Sequence, residues 1–417
     1  MRYRSEIDGL RSIAVVPVIL FHAGFELFSG GFVGVDVFFV LSGFLISAHL
    51  FAEFAKTGQL NVFKFWARRA KRLLPASLTV LAFSAVAVWL IVPTALQERF
   101  FRDIGAASLY VANWVFAADS VDYLAADTSA SIAQHFWSLG VEEQLYVVWP
   151  LVLLGSWMLF GSRFGFKVFG WVLGVITIGS FAYSSWLVFD NNPIAYFSTF
   201  SRAWQFGAGA LLALLLLPRG STGGNQPSAA ASTSSEFSSS LPTSNLSTSA
   251  EVASANLPAS ETLVTATDTK PESLFGVRHL ASWVGWLSLV AYMFVFEATA
   301  GFPGWYALVP VLSTLLIIWA ADPRGPAAPS WFLHWKPVQF IGDASYSIYL
   351  WHWPIIVLVG FSYSVIPVRE ALLIVVATIV LAALSMKFVE NPFRYGRFKL
   401  LPPKRVFLAV GSAMVLL

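Results

Sequence analysis

The sequence of 417 residues contains no cysteine and few charged side chains. Without cysteine, the chain has no disulfide, no cysteine-based metal site and no thiol nucleophile. Only 12% of its residues are charged and 57% are hydrophobic, whereas about a quarter of a soluble domain is charged. Such a chain cannot cover its apolar surface with polar side chains, so the composition indicates an integral membrane protein.

Long apolar runs predict how the chain crosses the membrane, because about 20 apolar residues span the hydrocarbon layer. The runs lack the alternation of barrel strands, so the predicted fold class is all-α. We expect a polytopic transmembrane helical bundle of about ten helices plus a partial eleventh. The ten predicted spans are residues 12–28, 33–54, 73–92, 137–158, 168–187, 198–217, 279–297, 305–321, 340–360 and 369–390.

Charge predicts the orientation of these spans. With the N-terminus inside, most of the 26 basic residues fall in segments on the cytoplasmic side, as the positive-inside rule requires. The formal net charge of +3 therefore indicates topology rather than nucleic-acid binding. Segment 104–118 is apolar but short, and its acidic flanks, Asp103 and Asp119, favour an interfacial or re-entrant helix over a full crossing.

Composition divides the chain into four parts. Residues 221–272 are rich in Ser, Thr and Ala, which predicts a disordered cytoplasmic linker because such a segment buries too little apolar surface to fold. The linker separates a six-helix part, 1–220, from a four-helix part, 273–400. Residues 401–417 begin an eleventh span, so we expect the natural protein to continue beyond it.

Ionisable residues inside spans are costly and usually mark a site. Arg11 and His22 lie eleven residues apart in the first span, which places them on one helix face. The guanidinium suits a phosphate-bearing donor, and the imidazole suits general-base work. The alternative is that Arg11 only reaches the membrane surface and His22 only satisfies a core carbonyl. In the second span, Asp36 could orient His22 or form a structural ion pair with a cation.

Two further motifs carry candidate site residues. In KFWARRAKRLLP, Arg69 and Arg72 lie at i and i+3 at the inner boundary, where they could hold the phosphates of a nucleotide-bearing thioester. They could equally serve only as a topogenic signal. In HFWSLGVEEQLYVVWP, Glu142 and Tyr146 are i, i+4 neighbours in a dense polar cluster, although an interfacial aromatic belt with incidental acids is the alternative.

The ninth predicted span contains a polar stripe. Ser345, Tyr349 and His352 follow an i, i+4, i+7 pattern in GDASYSIYLWHWPI and predict one polar face that lines the acceptor side of the bundle interior. Four glycines of the second span region should let neighbouring backbones approach closely; they are Gly30, Gly31, Gly34 and Gly43. In VENPFR, Pro392 should end the tenth helix.

Six motifs occur in order along almost the whole chain, and their series resembles the acyltransferase-3 family, the membrane acyltransferases of bacterial surface-polysaccharide O-acetylation and their relatives. The motifs are DGLRSIAVVPVILFH, GGFVGVDVFFVLSGFLI, RRAKRLLP, FWSLGVEEQLYVVWP, SYSIYLWHWPI and VENPFR. The resemblance implies activity roles that fall on Arg11 and His22, donor handling that falls on Arg69 and Arg72, and a family Glu and Tyr that fall on Glu142 and Tyr146. One departure is Gln205, where relatives often carry Glu, which puts a carboxylate role there in doubt.

The resemblance also implies partners and location. The donor substrate is expected to be acyl-CoA, with acetyl-CoA the favoured form, and no metal is required. The acceptor is expected to be a glycan, a lipid-linked sugar or a glycolipid. The predicted location is the bacterial inner (cytoplasmic) membrane, multi-pass, with the N-terminus cytoplasmic. Many members carry an extracytoplasmic SGNH-hydrolase-like domain after an eleventh span, and we expect one in the natural protein.

The predicted function is therefore a membrane O-acyltransferase. Its predicted catalytic residues are His22, Arg11, Glu142, Tyr146 and Asp36. Arg69, Arg72 and Arg11 are predicted to bind the donor. A transporter that uses the same buried charges as a substrate or proton pathway is the main alternative, and a membrane scaffold is the third.

Overall fold

The computed structural model describes residues 5–121, 130–217, 276–297, 301–321, 329–396, 398 and 400–417. These residues form α-helices with short 3₁₀ and π turns and no strand, which confirms the all-α class. The predicted linker, 221–272, lies outside the described residues. The helices are α1 (Ser5–His22), α2 (Gly34–Thr57), α3 (Val62–Ile91), α4 (Thr94–Ser108), α5 (Ala112–Val121), α6 (Phe136–Phe189), α7 (Ile194–Phe197), α8 (Thr199–Leu215), α9 (Val277–Val295), α10 (Leu308–Ala320), α11 (Lys336–Gly360), α12 (Val368–Ser385), α13 (Asn391–Arg394) and α14 (Pro403–Leu416).

Five helical stretches of the described residues are long and apolar enough to cross a membrane, as in a multi-pass membrane protein. They are Gly31–Phe54, Val62–Ile91, Phe136–Gly161, Lys167–Phe189 and Val368–Arg394. Each coincides with a predicted span, and a break at Gly161, where φ is 65°, separates the third stretch from the fourth within α6. The other five predicted positions are occupied by helices that are shorter or more polar than these stretches, namely α1, α8, α9, α10 and α11. Length and composition therefore identify five candidate crossings, and the total of ten stays a prediction.

The short apolar segment 104–118 is not one helix. The chain breaks at Tyr110, which has a φ of 57°, and this break separates α4, with 15 residues, from α5, with 10. Neither is long enough to cross about 30 Å of hydrocarbon, in agreement with the predicted interfacial or re-entrant helix. Arg102 joins the two helices, because its guanidinium donates to Asp103 at 2.8 Å and also to Asp119.

The centre of the bundle is built on α2, which packs closely against α8, while α1 packs against α2 and α11. At the α2–α8 crossing, a Cβ on Gly43 would overlap the backbone carbonyl of Phe206, and a Cβ on Gly209 would overlap that of Val40. The close backbone approach predicted for Gly43 is therefore confirmed. Small residues are suited to membrane helix crossings because they let the two backbones touch.

The end of α12 differs from the prediction for Pro392. A π-helical turn, Met386–Glu390, follows α12, and the helix then continues through α13 to Arg394. Proline is tolerated here because it occupies the first turn of α13, where a backbone N–H is not needed by the helix. The prediction that Pro392 ends the helix was wrong by about half a turn, and the extension carries Arg394 to the cavity described below.

The last described segment, α14, confirms a helix at the predicted eleventh span. It packs against α3 and α4, and Ser108 Oγ donates to the Met414 carbonyl at 3.1 Å.

Candidate active site

A cavity of about 310 Å³ lies between α1, α2, α3, α6, α11 and the turn that leads into α13. Seven of the predicted site residues line it, namely Arg11, Arg69, Arg72, Glu142, Tyr146, Ser345 and Tyr349. The other three, Asp36, His22 and His352, lie outside its lining. The structure therefore brings residues from all six of the sequence motifs into one cavity wall.

Arginines dominate one part of the cavity wall. Arg11 comes from α1, Arg68, Arg69 and Arg72 from α3, and Arg394 from α13. Arg68 forms an ion pair with Glu53 at 2.5 Å, and Arg11 lies 3.8 Å from Asp8.

Arg69 and Arg72 differ from the other arginines of the cavity. In the described part of the chain no carboxylate lies within 4.0 Å of either guanidinium, and Arg69 Nε is buried without a hydrogen-bond partner. Buried polar groups normally have partners. These two guanidinium groups are therefore free to bind an anion that enters the cavity.

A hydrogen-bonded network beside Arg69 joins three helices. The Arg69 guanidinium carbon lies 4.1 Å from the centroid of the Tyr146 ring. The Tyr146 hydroxyl donates to Ser42 Oγ at 3.0 Å and to Glu142 Oε2 at 3.3 Å, and Ser42 Oγ donates to Glu142 Oε1 at 2.7 Å. Glu142 and Tyr146 thus lie together, as their spacing predicts, and Tyr146 also contacts Arg69.

Two hydroxyl groups of the cavity lining, those of Ser138 and Tyr349, lie beside each other. Tyr349 Oη and Ser138 Oγ are 2.7 Å apart, and the Tyr349 hydroxyl donates to the His135 carbonyl at 3.1 Å. Ser345, one turn before Tyr349, is completely buried, and its Oγ has no hydrogen-bond partner. The predicted polar stripe of α11 does face the bundle interior at these two positions.

Three histidines lie next to this hydroxyl pair. His22 Nδ1 is 3.2 Å from His352 Nε2, and His352 Nδ1 is 2.6 Å from the Tyr349 carbonyl oxygen. His135 packs against the His352 ring, with ring centroids 5.7 Å apart. The ring of Trp353 covers His22 edge-on at 4.8 Å. Arg11 and His22 therefore hold different places in the site, since Arg11 lines the cavity and His22 belongs to the histidine cluster.

The surroundings of Asp36 differ from those expected of a catalytic residue. Its Oδ1 accepts a hydrogen bond from Arg202 Nη1 at 2.9 Å and another from Gln205. The side chains of both ion-pair partners are 1% exposed, and the Arg202 guanidinium lies within 5.2 Å of the ring centroids of Trp137, Tyr196 and Phe302. The ion-pair interpretation of Asp36 agrees with this geometry, because its hydrogen-bond partners are on α8.

Some residues of the cavity wall were not among the predicted site residues. Ser42 and Ser138 carry hydroxyls of the cavity wall, and Asp343 and Glu390 add carboxylates to it. Ser138 precedes Glu142 by one helical repeat of four residues, so the same i, i+4 spacing could have identified it. Within the described residues no group of histidine and acidic side chains is arranged to hold a metal ion.

Comparisons with known proteins give the family. A family model described as an acyltransferase domain, that of acyltransferase-3, matches residues 4–387. The O-acetyltransferase OatA of Staphylococcus aureus strain MRSA252 is 30% identical over 423 residues, which cover 100% of this chain and 62% of the relative. OatA of strain NCTC 8325 / PS 47 has the same identity and coverage. The chain thus spans about three fifths of the length of these curated relatives.

No solved structure matches the chain significantly. The family match extends over α1 to α12 and contains every helix that contributes to the cavity except α13. The chain therefore belongs to the acyltransferase-3 family.

Proposed function

We propose that the protein is a membrane O-acyltransferase that moves an acyl group, acetyl in the first instance, from cytoplasmic acyl-CoA to a hydroxyl of a cell-envelope glycan or glycolipid. One observation carries the proposal: one cavity is lined both by two arginines that have no carboxylate within 4.0 Å among the described residues, Arg69 and Arg72, and by a hydroxyl pair that touches a histidine cluster. The relatives are named O-acetyltransferases, which supports transfer of an acyl group to a hydroxyl oxygen as the reaction class.

The arginine side suits the donor. Coenzyme A carries phosphate groups, and guanidinium binds phosphate through paired, charge-assisted hydrogen bonds. In the described part of the chain no carboxylate lies within 4.0 Å of Arg69 or Arg72. The cavity is at the small end of ligand pockets, so we assign it to the thioester arm, with the nucleotide held at the arginine mouth. The Tyr146–Glu142–Ser42 network then fixes Arg69 in place.

His22 is the proposed base. Its imidazole takes the proton of the acceptor hydroxyl while the hydroxyl oxygen forms a bond to the thioester carbonyl carbon. The carbon–sulfur bond then breaks, and the leaving thiolate takes the proton from the imidazolium. The products are an ester and free coenzyme A. Because Ser138 and Tyr349 line the cavity and His22 does not, the reaction requires this hydroxyl pair to separate so that the acyl group reaches His22.

Proteoliposomes that contain the protein, labelled acetyl-CoA and isolated envelope glycan test the proposal. Wild-type protein should release free coenzyme A in proportion to both protein and glycan, and His22→Ala should reduce the rate on the order of 100-fold or more. His279→Ala is the matched control, since His279 is also a buried histidine but lies on α9, outside the cavity lining. A folded His22→Ala protein with the wild-type rate would refute the assignment.

The same experiment separates the other functions. Accumulation of intact acetyl-CoA inside the vesicles without free coenzyme A would indicate a transporter. An acyl group on His22, detected by mass spectrometry after acid quenching, would make His22 an acyl carrier rather than a base. Mass spectrometry of envelope glycans and lipids from cells with and without the gene would then identify the acceptor.

A further inference from the structure

The hydrogen-bond partners in the histidine cluster define which ring nitrogens carry hydrogen. His352 Nδ1 lies 2.6 Å from the carbonyl oxygen of Tyr349. A carbonyl oxygen only accepts hydrogen bonds, so His352 Nδ1 must carry the hydrogen. The ring of His352 is completely buried, and in the described part of the chain no carboxylate lies within 4.0 Å of it. A neutral imidazole is the form that such an apolar environment favours.

The second nitrogen of His352 then determines the state of His22. A neutral imidazole has one donor and one acceptor nitrogen, so His352 Nε2 is an acceptor. His22 Nδ1, 3.2 Å away, must therefore donate to it. In the neutral form of His22, which is the form a base requires, Nε2 then carries no hydrogen and keeps a free lone pair.

We propose that His352 is a positioning residue that holds His22 in the Nδ1-protonated tautomer, so that His22 Nε2 is presented to the reacting groups. This assignment differs from the acceptor-lining role predicted for His352. Its consequence for the rate rests on the proposed function, whereas the tautomer itself does not. In serine hydrolases a base depends in the same way on the group that bonds its second nitrogen.

His135, the third member of the cluster, does not replace His352 in this role. Its Nε2 lies 3.1 Å from the Leu350 carbonyl oxygen, so that nitrogen donates to the backbone. Its Nδ1 is buried without a hydrogen-bond partner. Since neither nitrogen of His135 bonds to His22, His352 alone among the described residues fixes the tautomer of His22 through a ring nitrogen.

Nitrogen-15 NMR of histidine-labelled protein in nanodiscs tests the tautomer directly and needs no activity. The His22 signals, identified by their loss in His22→Gln, should show hydrogen on Nδ1 and none on Nε2. His352→Leu should change them toward the other tautomer, and His279→Leu should leave them unchanged. Hydrogen on Nε2 of His22 in the wild type, or the same His22 signals in His352→Leu, would overturn the inference.

Kinetics with two variants separate positioning from packing. In His352→Gln, the side-chain oxygen can accept the hydrogen bond from His22 Nδ1, so we expect kcat within about tenfold of the wild type. In His352→Leu we expect kcat to fall on the order of 100-fold while KM for acetyl-CoA stays constant, because the arginines are untouched. Equal losses in the two folded variants would contradict the positioning role.

The two proposals fail in different ways. A wild-type protein that has the expected His22 tautomer but transfers no acyl group would remove the proposed function and leave the tautomer assignment standing. A wild-type protein that transfers the acyl group but has the opposite His22 tautomer would refute the tautomer assignment and leave the proposed function standing.

Discussion

At the scale of single residues, the position of Arg69 on Tyr146 explains why arginine rather than lysine suits this place. The guanidinium is planar, so it can stack on the phenol ring at 4.1 Å and still direct its N–H groups into the cavity. An ammonium group is a point charge that neither stacks as a plane nor binds two phosphate oxygens at once.

The first prediction concerns this contact. Arg69→Lys keeps the charge but loses the stack and the forked donors, so KM for acetyl-CoA should rise about tenfold. Steady-state kinetics in proteoliposomes measures the change. The matched control is Arg369→Lys, an exposed substitution at the start of α12, which should behave as the wild type. An unchanged KM in Arg69→Lys would exclude Arg69 from the donor site.

The ion-pair partner of Asp36 could not be predicted from the residue type alone. A carboxylate inside a span predicts a cation nearby, because an unpaired charge in hydrocarbon is costly. The sequence does not say which cation, and Arg202 lies 166 residues away on α8. Since the pair is buried among aromatic rings, its role in this structure is to join α2 to α8.

The second prediction follows from that burial. Arg202→Met leaves the Asp36 carboxylate buried without its cation, so we expect a loss of about 3 kcal/mol of stability. Thermal unfolding in detergent should show a lower midpoint for this variant. The double variant Asp36→Leu with Arg202→Met removes both charges and should recover part of the midpoint. A double variant less stable than Arg202→Met would contradict this account.

At the scale of helices, residue spacing within one segment correctly predicted which side chains are neighbours. Contacts between side chains of different segments could not be predicted from the sequence. The i, i+4 spacing correctly places Glu142 beside Tyr146. It cannot pair His22 with His352, because these lie on helices 330 residues apart in sequence. The break at Tyr110 was also beyond the sequence, since a positive φ is uncommon for tyrosine.

The third prediction concerns the crossing of α2 with α8. Gly43→Ala places a methyl group against the Phe206 carbonyl, which is backbone and cannot move aside without moving the helix. We expect a marked loss of folded protein, measured by size-exclusion chromatography in detergent. Gly179→Ala in α6 is the matched control, because no described atom outside its own stretch of helix lies within 4 Å of the added carbon. Equal yields of the two variants would show that the crossing tolerates a wider separation.

At the scale of the whole molecule, the site combines helices from both sides of segment 221–272. Helices α1, α2, α3 and α6 precede it, and α11 and α13 follow it. The order of the motifs predicts the family and most of the cavity wall, because each motif carries its own polar residue. The arrangement of the motifs around one cavity depends on side-chain packing between distant helices, which no local pattern encodes.

The fourth prediction tests the orientation of the chain, for which the absence of cysteine is an advantage. A single introduced cysteine has no background reaction. Gln59→Cys lies in an exposed turn after α2, and Ser364→Cys lies in an exposed loop after α11. In intact cells a membrane-impermeant maleimide should label Ser364→Cys at once and Gln59→Cys only after permeabilisation. The opposite pattern would reverse the predicted topology.

The separation of the arginines from the histidine cluster has an electrical consequence for the proposed reaction. The anionic part of coenzyme A stays on the arginine side, while the acyl group leaves in one direction and the hydroxyl proton arrives in the other. The transferred acyl group is equivalent to one positive charge that moves in one direction, and the proton is one positive charge that moves in the other. Their exchange therefore carries no net charge across the membrane. A single charge that crossed alone would change the free energy by about 2.3 kcal/mol for every 100 mV of membrane potential. Acylation should therefore run equally well in energised and in depolarised membranes.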